Sequence, residues 1–204
     1  RPGRVKTRLT PAYSPEEAAA LARAALADTL AAGLAVPARR RVLVLDGCPG
    51  DWLPPGYDVV PQCDGALDVR LAAAFAAADG PALLIGMDTP QVRPELLAPA
   101  TGPGAWARAD AYFGPALDGG FWALGLAAPD PALLLGVPMS VSHTGAVQRR
   151  RLADAGLRIA DLAPLRDVDT PPDVPLVAAS APPEGAFAAA ARELGAARRS
   201  GSRV

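Results

Sequence analysis

An α/β fold with a mainly parallel sheet, covered by helices on both faces, is what the sequence predicts. Three observations point there. Short apolar runs of strand length recur along the chain. Stretches with helical spacing fall between them. Gly, Pro or Asp punctuates most of the junctions. Such alternation is the pattern of strands joined by helical crossovers, which stack as a three-layer α/β/α sandwich.

The elements follow in order. Ser14-Pro15-Glu16-Glu17 opens a helix, with Ser14 as N-cap, Pro15 at the first helical position and Glu17 at the third. An Ala/Leu-rich stretch carries it to about residue 32, and Gly33 ends it. Val42-Leu43-Val44-Leu45, between Arg41 and Asp46, reads as a buried strand. A Gly/Pro-rich loop leads to a second strand at 57–60. Leu67, Leu71, Ala74, Phe75 and Ala78 then repeat at helical spacing. Residues 82–86 form another buried strand, and 94–98 a short helix. Strands at 109–113 and 121–126 flank a Gly-rich turn. A helix at 143–155, a strand at 157–162 and a helix at 172–179 complete the domain, taken as residues 1–179. The Ala/Arg-rich remainder, 180–204, reads as a marginal helix and a frayed tail.

Composition sets the class. Half of the 204 residues are hydrophobic and a fifth are charged, which suits one globular domain with a real core. A net charge of −1 offers no field for nucleic acid or an acidic membrane. Apolar runs break well before the roughly 18 residues a membrane span needs. Cys48 and Cys63 have no metal-ligand spacing, so two reduced thiols in a cytoplasmic protein are expected. Nearly all basic charge is Arg, and Lys6 is the single lysine. A lysine kept against such a bias is a candidate for work a planar guanidinium cannot do.

In open parallel sheets, ligands bind beyond the carboxyl ends of the strands, so the loops after strands carry the candidates. Met87-Asp88-Thr89-Pro90 places a carboxylate there, suited to Mg²⁺ or Mn²⁺ that keeps several waters and bridges phosphates. A helix cap is the alternative for Asp88. In Gly114-Pro115-Ala116-Leu117-Asp118-Gly119-Gly120, paired glycines after Asp118 let backbone approach a ligand, or make a hairpin turn. In Leu165-Arg166-Asp167-Val168-Asp169-Thr170-Pro171, Asp167 and Asp169 share a face, and one of them can join Asp88 on a metal; Asp169 as a helix cap is the alternative. Pro2-Gly3-Arg4-Val5-Lys6-Thr7-Arg8-Leu9 alternates three cations after a Pro-Gly turn, as a phosphate cradle or as an exposed basic start. His143, the sole histidine, lies near a helix start, where Ser142 or Thr144 can cap.

Taken together, P-G-R-V-K-T-R-L at 2–9, G-M-D-T-P at 86–90, G-P-A-L-D-G-G-F-W at 114–122 and L-R-D-V-D-T-P at 165–171 resemble bacterial GT-A glycosyltransferases similar to phospholactate guanylyltransferase. Gly65-Ala66-Leu67-Asp68-Val69-Arg70-Leu71 looks like that family's glycine, leucine, arginine signature. The likeness covers roughly residues 1–178. It implies a nucleotide-diphospho-sugar transferase (GT-A, Rossmann-like) fold. It also implies that the basic segment, with Gly3, Arg4, Lys6 and Arg8, lies near phosphates and that Asp88 lies near a metal. Gly65, Arg70, Gly119, Gly120 and His143 are expected to contact nucleotide or substrate, and Asp118 the sugar or acceptor. The family has an apolar strand before its P-G-x-V-K-T-R-L segment, so a first strand is expected upstream of Arg1, with a gap in the sheet beside 82–86. Only one aspartate stands in the metal motif where Asp-x-Asp glycosyltransferases have two, which leans toward nucleotidyl transfer. Three functions stay open: glycosyl transfer from a nucleoside diphosphate sugar, nucleotidyl transfer to a phosphorylated acceptor, and non-catalytic nucleotide binding. Oligomeric state is not legible.

Overall fold

The computed structural model describes residues 2–201, with side chains through residue 198. The chain forms two compact units. One comprises residues 34–86 and 94–165; the other gathers 1–33, 87–93 and 166–204.

Among the described residues, the 34–86/94–165 unit holds all the strands: β1 (Val42–Leu45), β2 (Asp58–Pro61), β3 (Ala82–Ile85), β4 (Ala111–Pro115), β5 (Phe121–Leu126) and β6 (Ile159–Asp161). Its helices are α2 (Leu67–Ala76), α3 (Pro94–Thr101), α4 (Ala105–Arg108) and α5 (Thr144–Asp154). The other unit contributes α1 (Pro15–Leu34, which runs on one residue past Gly33), α6 (Asp173–Ser180) and α7 (Ala186–Gly201).

The sheets are small and mixed, where the alternation pointed to a mainly parallel one. β1 and β2 pair in parallel, and a separate four-stranded sheet has the order β3-β5-β4-β6. There β4–β6 is parallel, but β5 runs antiparallel to both β3 and β4. The reason is local. A short loop through Asp118-Gly119 joins β4 to β5 as a hairpin, and a hairpin can join only antiparallel strands. Among the described residues β3 is an edge strand of the four-stranded sheet, pairing with β5 and not with β1.

Alternation across the pleat builds three layers within this unit. Ala82 and Leu84 of β3, Ala111 and Phe113 of β4, and Leu124 and Leu126 of β5 pack with Ala72 and Phe75 of α2 and Leu152 of α5. On the opposite face Tyr112 meets Trp106 of α4 edge-on at 5.1 Å, and Gly125 lies under the same indole and beside Leu83. The β4–β6 edge is pinned by Arg158, whose Nε and Nη2 each bond Asp110 at 2.9 Å. That fork holds the Asp110 carboxyl at about 2, below the ordinary value.

In the second unit Ser14 and Glu17 make the expected reciprocal cap: Ser14 N donates to Glu17 Oε2 at 2.8 Å, and Glu17 N donates to Ser14 Oγ at 3.2 Å. The core joins Leu9, Leu21 and Ala25 to Val168, Val174, Val177 and Phe187. Phe187 is fully buried, so α7 is a packed element where the sequence reads as a marginal helix. Asp28 accepts from Ala186 N and Phe187 N at 2.8 and 2.9 Å and caps α7 from α1. At the far end the Arg198 guanidinium stacks 3.7 Å above the Tyr13 ring. Among the described residues, no helix is long and apolar enough to cross a membrane.

Candidate functional site

Three stretches far apart in sequence meet in the second unit. The 87–93 loop leaves β3, the 166–172 loop precedes α6, and residues 2–9 lead into a single 3-10 turn, Thr7–Leu9. Backbone and side chain tie the first two together. Val168 N donates to Asp88 O at 2.9 Å, and Gln91 Nε2 donates to Arg166 O at 2.7 Å. Gln91 and Thr89 are buried, and Gln91 Oε1 and Thr89 Oγ1 have no partner among the described residues.

Lys6 is the centre of the cluster. Its ammonium lies 2.8 Å from Asp88 Oδ1 and 3.1 Å from Asp169 Oδ1. The lysine side chain is 8% exposed, whereas Asp88 and Asp169 are 41% and 30% exposed. Arg8, mostly in solvent, reaches Asp169 Oδ2 at 3.4 Å. Lys6 itself has φ 51 and ψ 40, a left-handed conformation that costs a residue with a Cβ about 1–2 kcal/mol. Strain of this kind persists where surrounding contacts over-determine it, and such places cluster at functional sites.

Neither aspartate is the helix cap that local sequence allowed. Asp88 precedes a turn closed by Val92 N on Thr89 O, and α3 begins only at Pro94. The N-cap position of α6 is Pro172, with no side-chain cap bond, and Asp173, the first helical residue, reaches back to accept from Thr170 N at 2.8 Å, Thr170 Oγ1 at 2.7 Å and Asp169 N at 3.3 Å. Burial pushes the Asp173 carboxyl up, but these bonds and the Arg166 ion pair at 3.1 Å outweigh it and leave the group below its ordinary value. Asp173 thereby fixes the loop that carries Asp169, with the Asp169 side chain left to the lysine. Sequence reading missed Asp173 and Gln91. The one available signal was Asp173 four residues after Asp169, at a helix start.

Gly3 and Arg4 are exposed, on the turn ahead of Lys6. The remaining candidates lie in the other unit. Arg70 donates from Nη1 to Gln62 Oε1 at 2.9 Å, just past the carboxyl end of β2, and its Nε is buried without a partner among the described residues. Gly65, at φ 122, turns the chain before α2. Asp118 is exposed at the hairpin tip, and its Oδ1 accepts from Gly120 N at 2.8 Å. The close approach that Gly119 and Gly120 permit is to the start of α5. Gly119 O accepts from Gly145 N at 2.8 Å, and a Cβ on Gly119 would lie 1.8 Å from Ser142 O. His143 is exposed at the α5 N-cap position and makes no capping bond, while Thr144 Oγ1 donates to Pro138 O at 2.7 Å.

A divalent cation suits the Lys6 cluster by donor chemistry. The two carboxylate oxygens share one cation already, the ammonium, and so lie no farther apart than the sum of its two contacts. Among the described residues no group of three or more His, Cys, Asp or Glu gathers to make an all-protein cage. Two carboxylates, with water and phosphate completing the shell, match Mg²⁺, which dehydrates reluctantly and needs only one or two carboxylates.

The fold is α/β and matches that of a solved protein described as a nucleotide-diphospho-sugar transferase. The chain superposes with a TM-score of 0.80 and 26% identity on a solved structure from Desulfovibrio desulfuricans, described as a "putative nucleotide-diphospho-sugar transferase". The match covers 98% of this chain and 93% of that one. The chain belongs to the bacterial family described as "Uncharacterized protein conserved in bacteria (DUF2064)", whose model matches residues 17–141. No curated protein matches it.

Proposed function

We propose that this protein is a metal-dependent transferase of the GT-A type acting on a nucleoside diphosphate sugar. The observation that carries the reading is the Lys6 ammonium held between Asp88 and Asp169 on two strand-end loops. The solved relative supports the substrate class by the name it bears.

In this reading Asp88 holds Mg²⁺ or Mn²⁺ with Asp169, or with Asp167 of the same loop as Asp169. When bound, the metal supplies positive charge to the leaving diphosphate. Lys6 and Arg8 meet the phosphate oxygens directly and stabilise the charge that develops there as the bond to the sugar breaks. Gly3 and Arg4 let the segment lie along the phosphates. By resemblance alone, Asp118 contacts the sugar or acceptor, and Gly65, Arg70, Gly119, Gly120 and His143 belong to nucleotide binding. A cytoplasmic site of action goes with this reading, as do two exposed free thiols, Cys48 and Cys63.

A second reading is nucleotidyl transfer to a phosphorylated acceptor, guanylyltransferase-like. It is favoured by Asp88 and Asp169 standing on separate loops instead of in one Asp-x-Asp motif. There Lys6 and Arg8 stabilise an in-line phosphoryl transition state. A panel of nucleotides and nucleotide sugars, tested by thermal shift with and without Mn²⁺, followed by product analysis, separates these readings. Glycosyl transfer releases a nucleoside diphosphate; nucleotidyl transfer releases pyrophosphate. A hundredfold excess of the right ligand over its Kd raises apparent stability by about 2.7 kcal/mol, and the expected rise requires Mn²⁺. Stabilisation with no turnover of any donor would leave a nucleotide-binding protein without catalysis.

A further inference from the structure

We infer that Lys6 is an internal counter-cation: it occupies the metal's place between Asp88 and Asp169 and swings out to the phosphates when the metal arrives. This rests on the proposed metal site and adds how that site is loaded.

The geometry is one of mutual exclusion. Asp88 Oδ1 and Asp169 Oδ1 both face the same ammonium, at 2.8 and 3.1 Å. A divalent ion bonded to those oxygens at about 2 Å would put two positive charges within a few ångströms of a third. The ammonium then has to leave. The four-carbon stem allows it, since lysine carries its charge on a flexible chain. The two carboxylates are far more exposed than the nearly buried lysine, which gives the metal a way in. The left-handed backbone at Lys6 fits the same account. It is a conformation that residues with a Cβ avoid, and the ion pairs at the end of this side chain help to hold it. Arg8 is already on the other oxygen of Asp169, so that carboxylate stays paired as the lysine leaves.

Two consequences follow. Metal alone binds weakly, because it must displace a cation that has nowhere favourable to go. Metal together with a diphosphate binds well, because the displaced ammonium finds the phosphates. Lys6 therefore couples metal and nucleotide.

The chain has a single lysine, so protein made with ¹⁵N-lysine has one side-chain ammonium signal to follow. The first measurement follows that signal by NMR while Mg²⁺ is added without nucleotide, with saturation established by calorimetry. The expected result is a slowly exchanging ammonium in metal-free protein and a solvent-exchanging one at saturation. The second compares Mg²⁺ affinity of wild type, Lys6→Met and Lys6→Gly. Lys6→Gly suits the positive φ as well as removing the charge, so it keeps the test valid if Lys6→Met folds poorly, and circular dichroism checks both. If the ammonium holds the pair nine-tenths of the time, its removal tightens Mg²⁺ binding about tenfold. An unchanged ammonium signal at saturation, or Mg²⁺ affinity equal to or below wild type in the folded variants, overturns the exchange and leaves the metal site standing. No Mg²⁺ binding by any of the three proteins overturns the metal site and the exchange with it.

Discussion

Asp88→Ala is expected to lose at least a hundredfold in Mn²⁺-dependent nucleotide affinity, about 2.8 kcal/mol, while the protein stays folded. Asp88 is partly exposed on a loop, and its side chain meets Lys6. Lys6 keeps Asp169 as a partner when Asp88 is removed, so the stability loss is set at about 1 kcal/mol, the ordinary value for one substitution. Asp88→Ser sharpens the test. A serine caps helices nearly as well as aspartate but is a poor metal ligand. Calorimetric titration that finds wild-type affinity for Asp88→Ser in Mn²⁺ would remove the metal role. Asp169→Asn should fall with Asp88→Ala, because it deletes the second charge facing the same cation.

Gly119→Ala is expected to cost at least about 3 kcal/mol, the combined weight of a left-handed backbone penalty and an overpacked contact. Gly119 has φ 92, and a Cβ there would sit 1.8 Å from Ser142 O and 2.6 Å from its carbonyl carbon. Those are backbone atoms, so no side chain can rotate away. The start of α5 would have to move, breaking the Gly145 N to Gly119 O bond. For a domain whose whole stability is of the order of 5–15 kcal/mol, urea unfolding should show the loss as a large drop in midpoint. A midpoint within error of wild type would mean that the hairpin tip and α5 are not packed as described. Gly119 thus has a structural duty that its place in the Asp-Gly-Gly motif does not distinguish from contact with a ligand.

Local pattern was enough for elements whose causes are local. The run Phe121–Leu126 is a strand in full, and the Ser14–Glu17 cap forms as its spacing requires. Strand direction was not legible. The same apolar run suits either orientation, and the Asp118-Gly119 turn that reverses β5 also reads as a ligand loop. Helix α7 reads as marginal from local sequence because its anchors lie far away in the chain. What stabilises it is distant: Asp28 caps it from 158 residues away, and Phe187 fills a core built mostly from other segments. At the site, Lys6, Asp88 and Asp169 could be picked out because a lone lysine and strand-end carboxylates are compositional and positional facts. That all three share one cluster, that Lys6 is left-handed, and that Asp173 fixes the Asp169 loop are results of tertiary packing. No window of sequence encodes them.

The measurement that bears most directly on the metal and phosphate site is its location in a crystal. Crystals soaked with Mn²⁺ and a nucleoside diphosphate, measured at the manganese absorption edge, give an anomalous difference map. The predicted result is one peak about 2 Å from a carboxylate oxygen of both Asp88 and Asp169, with the diphosphate completing the shell and Lys6 Nζ on a phosphate oxygen. A manganese peak elsewhere, with Lys6 still 2.8 and 3.1 Å from the two aspartates, would contradict it.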